Sequence, residues 1–314
     1  MLSFPRPAAD REVSGKAFYH IVAERWLFGP VVDTGHWFSW ILQFEQPQEA
    51  AIRDGKAVNA VVAEIEETAA AAGLVPNRRE GSAFLDAIFI NHDEVDHLHK
   101  PSLLTFDPRI QIFAVPAAAT KIETWNHFLQ VYRYPNLDPS TSDWRALHPR
   151  PPLPSWLTVF RLYDNNHDLW ATAIIYSPEN RKDEAILWVP HSIPMEQPAL
   201  RAFLTNMEPP IAVKCIMHPL HRSTVLGIIK NSDGVDGGLA LARRAKPKYW
   251  VKTHHQLLRN TGAFGRLLRD YPGTLESAVE REKKRNKIGR ADSGGKELPQ
   301  LVEVGNGVSF VLDD

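Results

Sequence analysis

Short apolar segments of strand length recur along the chain, and they restrict its fold more than any other feature. Five of them predict buried strands: "AFLDAIFIN" (83–91), "IQIFAVP" (110–116), "EAILWVP" (184–190), "IAVKCIM" (211–217) and "KYWVKT" (248–253). Two more, "WLTVFRLY" and "LWATAIIYS", predict a hairpin around residues 164–168. Helical segments separate these strands, so we expect one α/β or α+β domain over residues 1–314, with helices covering the sheets.

Helices are predicted where apolar residues recur at a spacing of three or four. Val58, Val61, Val62 and Ile65 form this pattern within residues 49–72, and a glycine follows as a stop signal. The other predicted helices cover 101–106, 117–128, 197–206, 237–245 and 274–287. The remaining predicted elements are a strand with its exit turn at 18–30, a long loop at 134–155 and a C-terminal hairpin, "PQLVEVGNGVSFVL", with a Gly-Asn-Gly turn.

Charge and composition restrict the partners of the chain. The formal net charge is −1, which gives no reason to expect binding to nucleic acid or to an anionic membrane surface. No apolar run is long enough to span a bilayer, and "MLSFPRPAADREV" lacks the apolar core of a signal peptide. The single cysteine, Cys215, excludes an internal disulfide and predicts a buried thiol in a reducing compartment. We therefore expect a cytoplasmic protein, with its oligomeric state open.

Histidines follow predicted strands or sit in turns at five places. These are "NHDEVDHLH", "NNH" (165–167), "VPHS", "MHPLHR" and "KTHH". Strand ends lie at one rim of a sheet, so side chains from distant segments can converge there. Imidazole and carboxylate are common ligands of divalent metals. The sequence thus allows a metal site, and it also allows a set of surface or hydrogen-bonded structural histidines.

The most informative of these places is "NHDEVDH" (91–97), which directly follows an apolar run. A tight loop there could direct His92, Glu94, Asp96 and His97 at one point. The alternative is a solvated acidic turn that caps the next helix. Because the preceding strand is apolar, we expect Glu94 to be half buried, where a cation is the natural partner of a carboxylate. On that basis, Glu94→Gln is expected to cost orders of magnitude in rate.

Several motifs together resemble the metallo-β-lactamase superfamily. "INHDEVDHL" is similar to its H-x-H-x-D-H motif, with Glu94 in place of the second histidine. "VAERWLFGP" resembles an early segment of the lactonase-like and phospholipase-like branch, and "ILWVPHSIP" resembles a segment of fungal members. "MHPLHR", "GVDGG" and "YWVKTHH" resemble later segments of that fungal group. The resemblance covers residues 18–265 and implies a four-layer αββα sandwich with a metal site at one rim of two sheets.

The resemblance also implies roles for individual residues. The metal ligands that it implies are His92, Glu94, Asp96, His97, His167, His191 and His254. His191 stands where most members have a bridging aspartate, and His167 is the candidate for the third histidine. The residues implied to face the substrate or assist catalysis are Asp96, Glu94, His218 and His221. One or two divalent ions are implied, with zinc, or with manganese or iron because the oxygen donor at position 94 favours a harder metal.

The function that follows is hydrolysis of an ester, lactone or thioester of a small molecule, with a place in specialised metabolism. Two alternatives stay open: a non-hydrolytic lyase or isomerase on the same fold, and a metal-free binding protein that has lost catalysis. The chain has no G-x-S-x-G nucleophile elbow. "KNSDGVDGGLALA" lacks the G-K-[ST] ending of a phosphate loop and the glycine spacing of a dinucleotide-binding loop, and we interpret it as a flexible turn in which Gly237 and Gly238 open a helix.

Overall fold

The structure is a computed structural model, and it describes most of the chain. The described residues are 1–23, 31–33, 43–45, 48–75, 84–95, 97–163, 169–227, 229–253, 259–262, 265–289 and 297–313.

Strands and helices alternate along the described ranges. The strands are β1 (Leu2–Pro5), β2 (Phe18–Ala23), β3 (Val31–Asp33), β4 (Gln43–Glu45), β5 (Ala87–Ile90), β6 (Gln111–Ala114), β7 (Val131–Arg133), β8 (Leu157–Leu162), β9 (Ala171–Tyr176), β10 (Glu184–Trp188), β11 (Ala212–His218), β12 (Arg222–Val225), β13 (Ile229–Ser232), β14 (Tyr249–Lys252), β15 (Arg259–Thr261), β16 (Leu268–Tyr271) and β17 (Gln300–Val302). The α-helices are α1 (Ala8–Ser14), α2 (Gly55–Ala71), α3 (Lys100–Leu103), α4 (Pro116–Glu123), α5 (Pro198–Thr205), α6 (Gly234–Ala245) and α7 (Leu275–Gly289). Two 3-10 helices cover Trp144–Leu147 and Gly265–Leu267.

Two large sheets organise these strands. The first sheet has the order β1-β2-β5-β6-β7, in which β2, β5, β6 and β7 run parallel and β1 is antiparallel. The second sheet has the order β17-β14-β11-β10-β9-β8, with a parallel part from β17 to β10 and the antiparallel hairpin β8–β9 at its edge. Two smaller three-stranded sheets have the orders β13-β12-β16 and β15-β4-β3.

The two large sheets face each other. Tyr19 of β2 meets Trp156, which directly precedes β8, edge to face with ring centroids 5.8 Å apart. The next side chain along β2, His20, points to the opposite face and contacts Glu66 of α2, because side chains alternate along a strand. The helix α2 therefore lies on the outer face of the first sheet.

Helices also cover the outer face of the second sheet. Phe160 of β8 packs against Phe203 of α5 with ring centroids 6.1 Å apart, while its neighbour Val159 belongs to the core between the sheets. Trp250 of β14 lies against α6 in the same outer layer. The layers are thus helices, sheet, sheet and helices, and the four-layer αββα sandwich is confirmed. No described helix has the length and apolar character that a membrane crossing requires.

Most predicted elements are present, with shifted ends. Asp54 caps α2 by accepting from the Ala57 amide at 2.7 Å, so this helix begins later than the apolar pattern suggested. The prediction of a C-terminal hairpin is wrong. The strand β17 pairs in parallel with β14, and residues 308–313, which follow the turn, form no strand. Cys215 is buried, as expected, and burial raises the pKa of its thiol to about 12.

Candidate metal centre

Three histidines from the two large sheets meet at one rim of the sandwich. His92 and His97 lie in the loop that follows β5 of the first sheet, and His191 follows β10 of the second sheet. The ring centroids are 4.9 Å apart for His92 and His97, 5.2 Å for His92 and His191, and 4.7 Å for His97 and His191. We call these three residues the histidine cluster. The structure thus brings together three of the residues that the sequence proposed as ligands.

The loop after β5 has a shape that its own sequence fixes. The amides of His97 and Leu98 both donate to the carbonyl oxygen of Glu94, which closes a tight turn. Lys121 of α4 donates to the carbonyl oxygen of Asp93 at 2.8 Å and pairs with its carboxylate at 2.7 Å. Asp93 therefore ties the loop to a helix of the outer layer and does not point at the histidine cluster.

Burial keeps two of the three imidazoles neutral. Desolvation lowers the pKa of His97 to about 3, and this side chain is only 2% exposed. Desolvation lowers the pKa of His92 to about 4; Arg161 and Lys121 lower it further, and Asp93 opposes the change. A neutral imidazole offers a lone pair on one ring nitrogen, which is the form that binds a metal. Both side chains are in this form at neutral pH.

The donor set fits a divalent metal in its chemistry. The buried Nδ1 atom of His92 has no hydrogen-bond partner among the described residues, so it is available as a donor atom to a metal. The Nε2 atoms of His97 and His191 are 2.8 Å apart, whereas two nitrogen ligands of a tetrahedral zinc ion stand roughly 3.3 Å apart. These two rings must separate slightly to share an ion. As they stand, no three His, Cys, Asp or Glu side chains of the described ranges form a metal-binding arrangement.

A tryptophan that the sequence analysis did not select lies against the cluster. Trp170, which directly precedes β9, stacks on the ring of His92 with centroids 4.1 Å apart and planes at 15°. Its indole N–H donates to the carbonyl oxygen of Asn91 at 2.9 Å. The guanidinium carbon of Arg161 lies over two aromatic rings, 4.9 Å from the centroid of Trp170 and 3.9 Å from the centroid of Tyr163. Only the position of Trp170 at the start of a predicted hairpin strand could have drawn attention to it.

Glu94 does not have the environment that the sequence predicted. Its side chain is exposed, not half buried, because the tight turn after β5 directs it outward from the end of the strand. The cost of an unpaired buried carboxylate therefore gives no reason for a cation beside it. Its role as a ligand or base stays a prediction without that support.

The two auxiliary histidines lie near α6. His218 ends β11 and is 1% exposed; its Nδ1–H donates to the carbonyl oxygen of Pro219 at 2.8 Å. Burial lowers the pKa of His218 to about 4. His221 is half buried, and desolvation lowers its pKa, with Lys252 adding to the effect and Asp270 opposing it. His218 is therefore neutral at physiological pH.

Three of the predicted site residues, Asp96, His167 and His254, lie outside the described residues. Among their described neighbours, His97 follows Asp96, and Thr253 follows β14, which lies beside β11 in the second sheet. Their proposed roles as ligands stay predictions.

No protein-family model and no curated protein sequence matches the chain. Solved structures with a similar arrangement include a possible metal-dependent hydrolase from Veillonella parvula, at 12% identity and a TM-score of 0.42, covering 71% of this chain and 74% of that one. An isothiocyanate hydrolase from Delia radicum gut bacteria has 11% identity, a TM-score of 0.40 and coverage of 74% and 80%. The metallo-beta-lactamase fold protein YhfI from Bacillus subtilis has 12% identity, a TM-score of 0.37 and coverage of 72% and 77%. At this level of similarity, the activity, metal and substrate of these proteins are not carried over to this chain.

Proposed function

We propose that this protein is a metal-dependent hydrolase of a small molecule, with its metal held at the histidine cluster. The observation that carries the proposal is the convergence of His92, His97 and His191 from two different sheets, with centroids 4.7 to 5.2 Å apart. Burial lowers the pKa of His92 and of His97, and groups with shifted pKa values occur often at functional sites.

The proposed ligands are the three members of the histidine cluster, together with Asp96 and His254 and with His167 as a further candidate. A divalent metal in such a site supplies activation of water near neutral pH and polarisation of a carbonyl or phosphoryl oxygen. The chain's own residues hold the site in shape: the Lys121–Asp93 pair fixes the loop after β5, and Trp170 packs on His92. The proposed substrate is an ester, lactone or thioester.

The composition of the ligand set bears on the identity of the metal. Three imidazoles suit zinc, and additional carboxylate oxygen from Asp96 would extend the range to manganese or iron. One ion or two can be accommodated by the proposed residues. Metal identity and number are both read by the same elemental measurement.

Our first prediction is that protein purified without chelator carries at least one transition-metal ion per chain. Inductively coupled plasma mass spectrometry measures this directly. The variants His97→Ala and His191→Ala are expected to lose the metal, because each removes a nitrogen from the cluster. His148→Ala is the matched control, since the Nε2 of His148 is bonded to the Pro154 carbonyl, away from the rim. Less than about a tenth of an equivalent in the wild-type protein, even after reconstitution, contradicts the proposal, because a site of this ligand type binds tightly.

Hydrolysis is tested separately on metal-loaded protein. A panel of esters, lactones and thioesters is offered to the wild type and to His191→Ala, with product identification by mass spectrometry. Hydrolysis products that depend on His191 support the proposed reaction. Products of elimination or rearrangement from the same panel would instead place the protein among lyases or isomerases.

A metal-free binding protein is the second candidate, and one contact favours it. The Nε2 atoms of His97 and His191 are within hydrogen-bond distance of each other, so one ring can donate and the other accept without any ion. If this protein lacks a metal, the cluster is a buried polar contact that holds the two sheets together. In that case His191→Ala lowers the free energy of unfolding of protein that has never contained metal.

A further inference from the structure

We propose that Trp170 is a positioning residue of the metal centre, which holds the ring of His92 and sets the place of the His92 loop relative to the second sheet. The inference rests on the proposed function, because the site that it serves is the metal centre at the histidine cluster. It adds a residue that does not itself bind metal and that the metal-binding motif does not contain.

Trp170 contacts His92 and its neighbour at two separate points. The indole face lies on the imidazole at 4.1 Å with nearly parallel planes, and the indole N–H donates to the carbonyl oxygen of Asn91. The first contact fixes the plane of the imidazole, and the second fixes the backbone immediately before it. Together they restrain both the ring and the chain segment that carries it.

The stacked face takes the place of the hydrogen bond that orients most metal-binding histidines. Such histidines almost always donate their second ring nitrogen to a carboxylate, a carbonyl or water, and this outer partner fixes the ring. For His92, the described residues provide no partner to the buried Nδ1 atom. Whichever nitrogen binds the metal, the Trp170 face is the nearest of the described ring contacts of His92, at 4.1 Å against 4.9 Å for His97 and 5.2 Å for His191, and it opposes turning of the imidazole.

Trp170 is itself held in place from behind. The guanidinium of Arg161 lies over its ring, and Tyr163 meets it edge to face with centroids 5.5 Å apart. Arg161 in turn donates from Nε to the Asn136 side chain at 2.8 Å, and its backbone amide donates to the carbonyl oxygen of Pro135 at 2.8 Å. These contacts anchor the indole to the β8–β9 hairpin and restrain its movement, so the indole can hold the His92 ring in one place.

The position of Trp170 joins the two halves of the site. His92 follows a strand of the first sheet, whereas Trp170 precedes β9 of the second sheet. The strand β9 pairs with β10, with Thr172 opposite Trp188, and His191 follows β10 three residues later. A tryptophan fixed to β9 and stacked on His92 therefore sets the distance between His92 and His191 across the gap between the sheets.

The experiment measures Co²⁺ binding and not turnover. Wild type, Trp170→Leu and Trp170→Phe are freed of metal and titrated with Co²⁺, and the visible absorption of bound Co²⁺ reports the geometry of its ligands. The matched control is Trp156→Leu, because Trp156 is also half buried and also contacts the other sheet, through Tyr19, but lies away from the histidine cluster. Circular dichroism and thermal unfolding verify that each variant is folded.

We expect Trp170→Leu to weaken Co²⁺ binding by roughly tenfold or more, as the loss of an outer-shell partner typically does, and to change the absorption spectrum. Trp170→Phe keeps an aromatic face and loses the hydrogen bond of the indole N–H. It should therefore retain the wild-type Co²⁺ spectrum and most of the wild-type Co²⁺ affinity. Trp156→Leu should lower the unfolding temperature and leave the affinity unchanged. If Trp170→Leu does not fold, Trp170→Met, which fills similar space without a planar face, is tested with the same expectation.

The outcomes separate this inference from the function on which it rests. If the wild type binds no Co²⁺, the proposed metal centre is wrong and the role of Trp170 falls with it. If the wild type binds Co²⁺ and Trp170→Leu binds it equally well, Trp170 has no positioning role while the metal centre stands. Equal losses in Trp170→Leu and Trp156→Leu would also overturn the inference, because they would show general damage to the core.

Discussion

At the rim of the sandwich, the proposed metal ion would compete with a hydrogen bond for the same two nitrogen atoms. The 2.8 Å contact between His97 and His191 requires a proton on one Nε2 and a lone pair on the other. If a metal bound both nitrogens, the donor ring would carry this proton on its own Nδ1 atom, so the exchange requires a change of tautomer and no net loss of a proton. His97 is already neutral over the physiological range, so metal binding would release no proton from it.

The loop after β5 provides a comparison between two aspartates. We predict that Asp96→Ala lowers metal content more than Asp93→Ala, because Asp93 is occupied by Lys121 and faces the outer helix layer. Loss of the half-exposed Lys121–Asp93 pair is expected to cost at most about 1 kcal/mol of stability. Metal content per chain and the unfolding temperature are measured for both variants. Equal metal loss from both variants, with folding intact, would show that the alignment of this loop with the metal-binding motif is wrong.

Glu94 tests whether a carboxylate at the second motif position still matters. Because the side chain is exposed, we now predict that Glu94→Gln changes the free energy of unfolding by less than about 0.5 kcal/mol, as surface substitutions usually do. The informative measurement is metal content in Glu94→Gln and Glu94→His side by side. Near wild-type content in Glu94→Gln removes Glu94 from the ligand set, whereas a large loss would mean that the carboxylate turns inward when a metal is bound.

At the level of single residues, the sequence could predict donor types but not environments. The apolar strand before "NHDEVDH" correctly indicated a buried strand end, and two of its histidines do lie in the cluster. The same reasoning misjudged Glu94, because burial of a loop residue depends on the direction of a turn that periodicity does not encode. Trp170 was not found, since stacking on a histidine 78 positions earlier is a tertiary contact with no local pattern.

Among the elements, α6 shows why a glycine that resembles a turn residue can be a packing residue. The sequence interpretation placed Gly237 and Gly238 at the opening of a flexible helix start, but α6 begins at Gly234 and both glycines lie inside it. A Cβ atom at position 238 would stand 2.2 Å from Cζ2 of Trp250 and 2.9 Å from Nδ1 of His218. The absence of a side chain allows α6 to approach β11 and β14 closely, and that approach buries His218.

We predict that Gly238→Ala destabilises the protein although alanine favours helices. Replacing glycine within a helix normally contributes about 1 kcal/mol of stability. The clash with the buried Trp250 ring is expected to cost more, with a net loss of about 1 to 3 kcal/mol, which is typical of overpacked cores. Chemical denaturation measures the change. Ala240→Gly at an exposed position of α6 is the control, since it reports the helix propensity alone.

At the scale of the whole molecule, strand alternation was enough to predict the class of the fold and the layers of the sandwich. It was not enough to predict pairing. The last strand, β17, joins the parallel part of the second sheet next to β14, whereas the Gly-Asn-Gly turn after it had suggested a local hairpin. Phe310 beyond that turn packs on Tyr249 with ring centroids 5.8 Å apart. β17 pairs with a strand that is distant along the chain, with Gln300 opposite Tyr249, and a local turn signal does not encode such a pairing.

The two rims of the first sheet have different contents. At the carboxyl end of β5 lies the histidine cluster; at its amino end, Asp86 accepts hydrogen bonds from Arg6 at 2.6 Å, from Lys16 at 2.6 Å and from the His20 amide at 2.7 Å. The side chains of Arg6 and Lys16 are 7% and 4% exposed. This buried ionic group ties β1 and the chain before β2 to β5, and the hydrogen bonds of Asp86 just given include none to the three residues of the histidine cluster.

The division between the rims leads to the last prediction, which is that Asp86→Ala lowers stability and leaves metal affinity intact. Removing the carboxylate leaves two buried cations with reduced pairing, and breaking such a buried group typically costs about 3 to 5 kcal/mol. The strand β5 separates Asp86 from the histidine cluster by roughly 13 Å, at about 3.3 Å per residue.

Denaturant unfolding of the metal-free protein measures the stability of Asp86→Ala, and Co²⁺ titration under folding conditions measures its metal affinity. Asp107→Ala, which removes an exposed pair with Arg109, is the control and should change neither quantity. A loss of Co²⁺ affinity in folded Asp86→Ala would mean that the two rims are coupled through β5, and that the ionic group at the amino end helps to place His92.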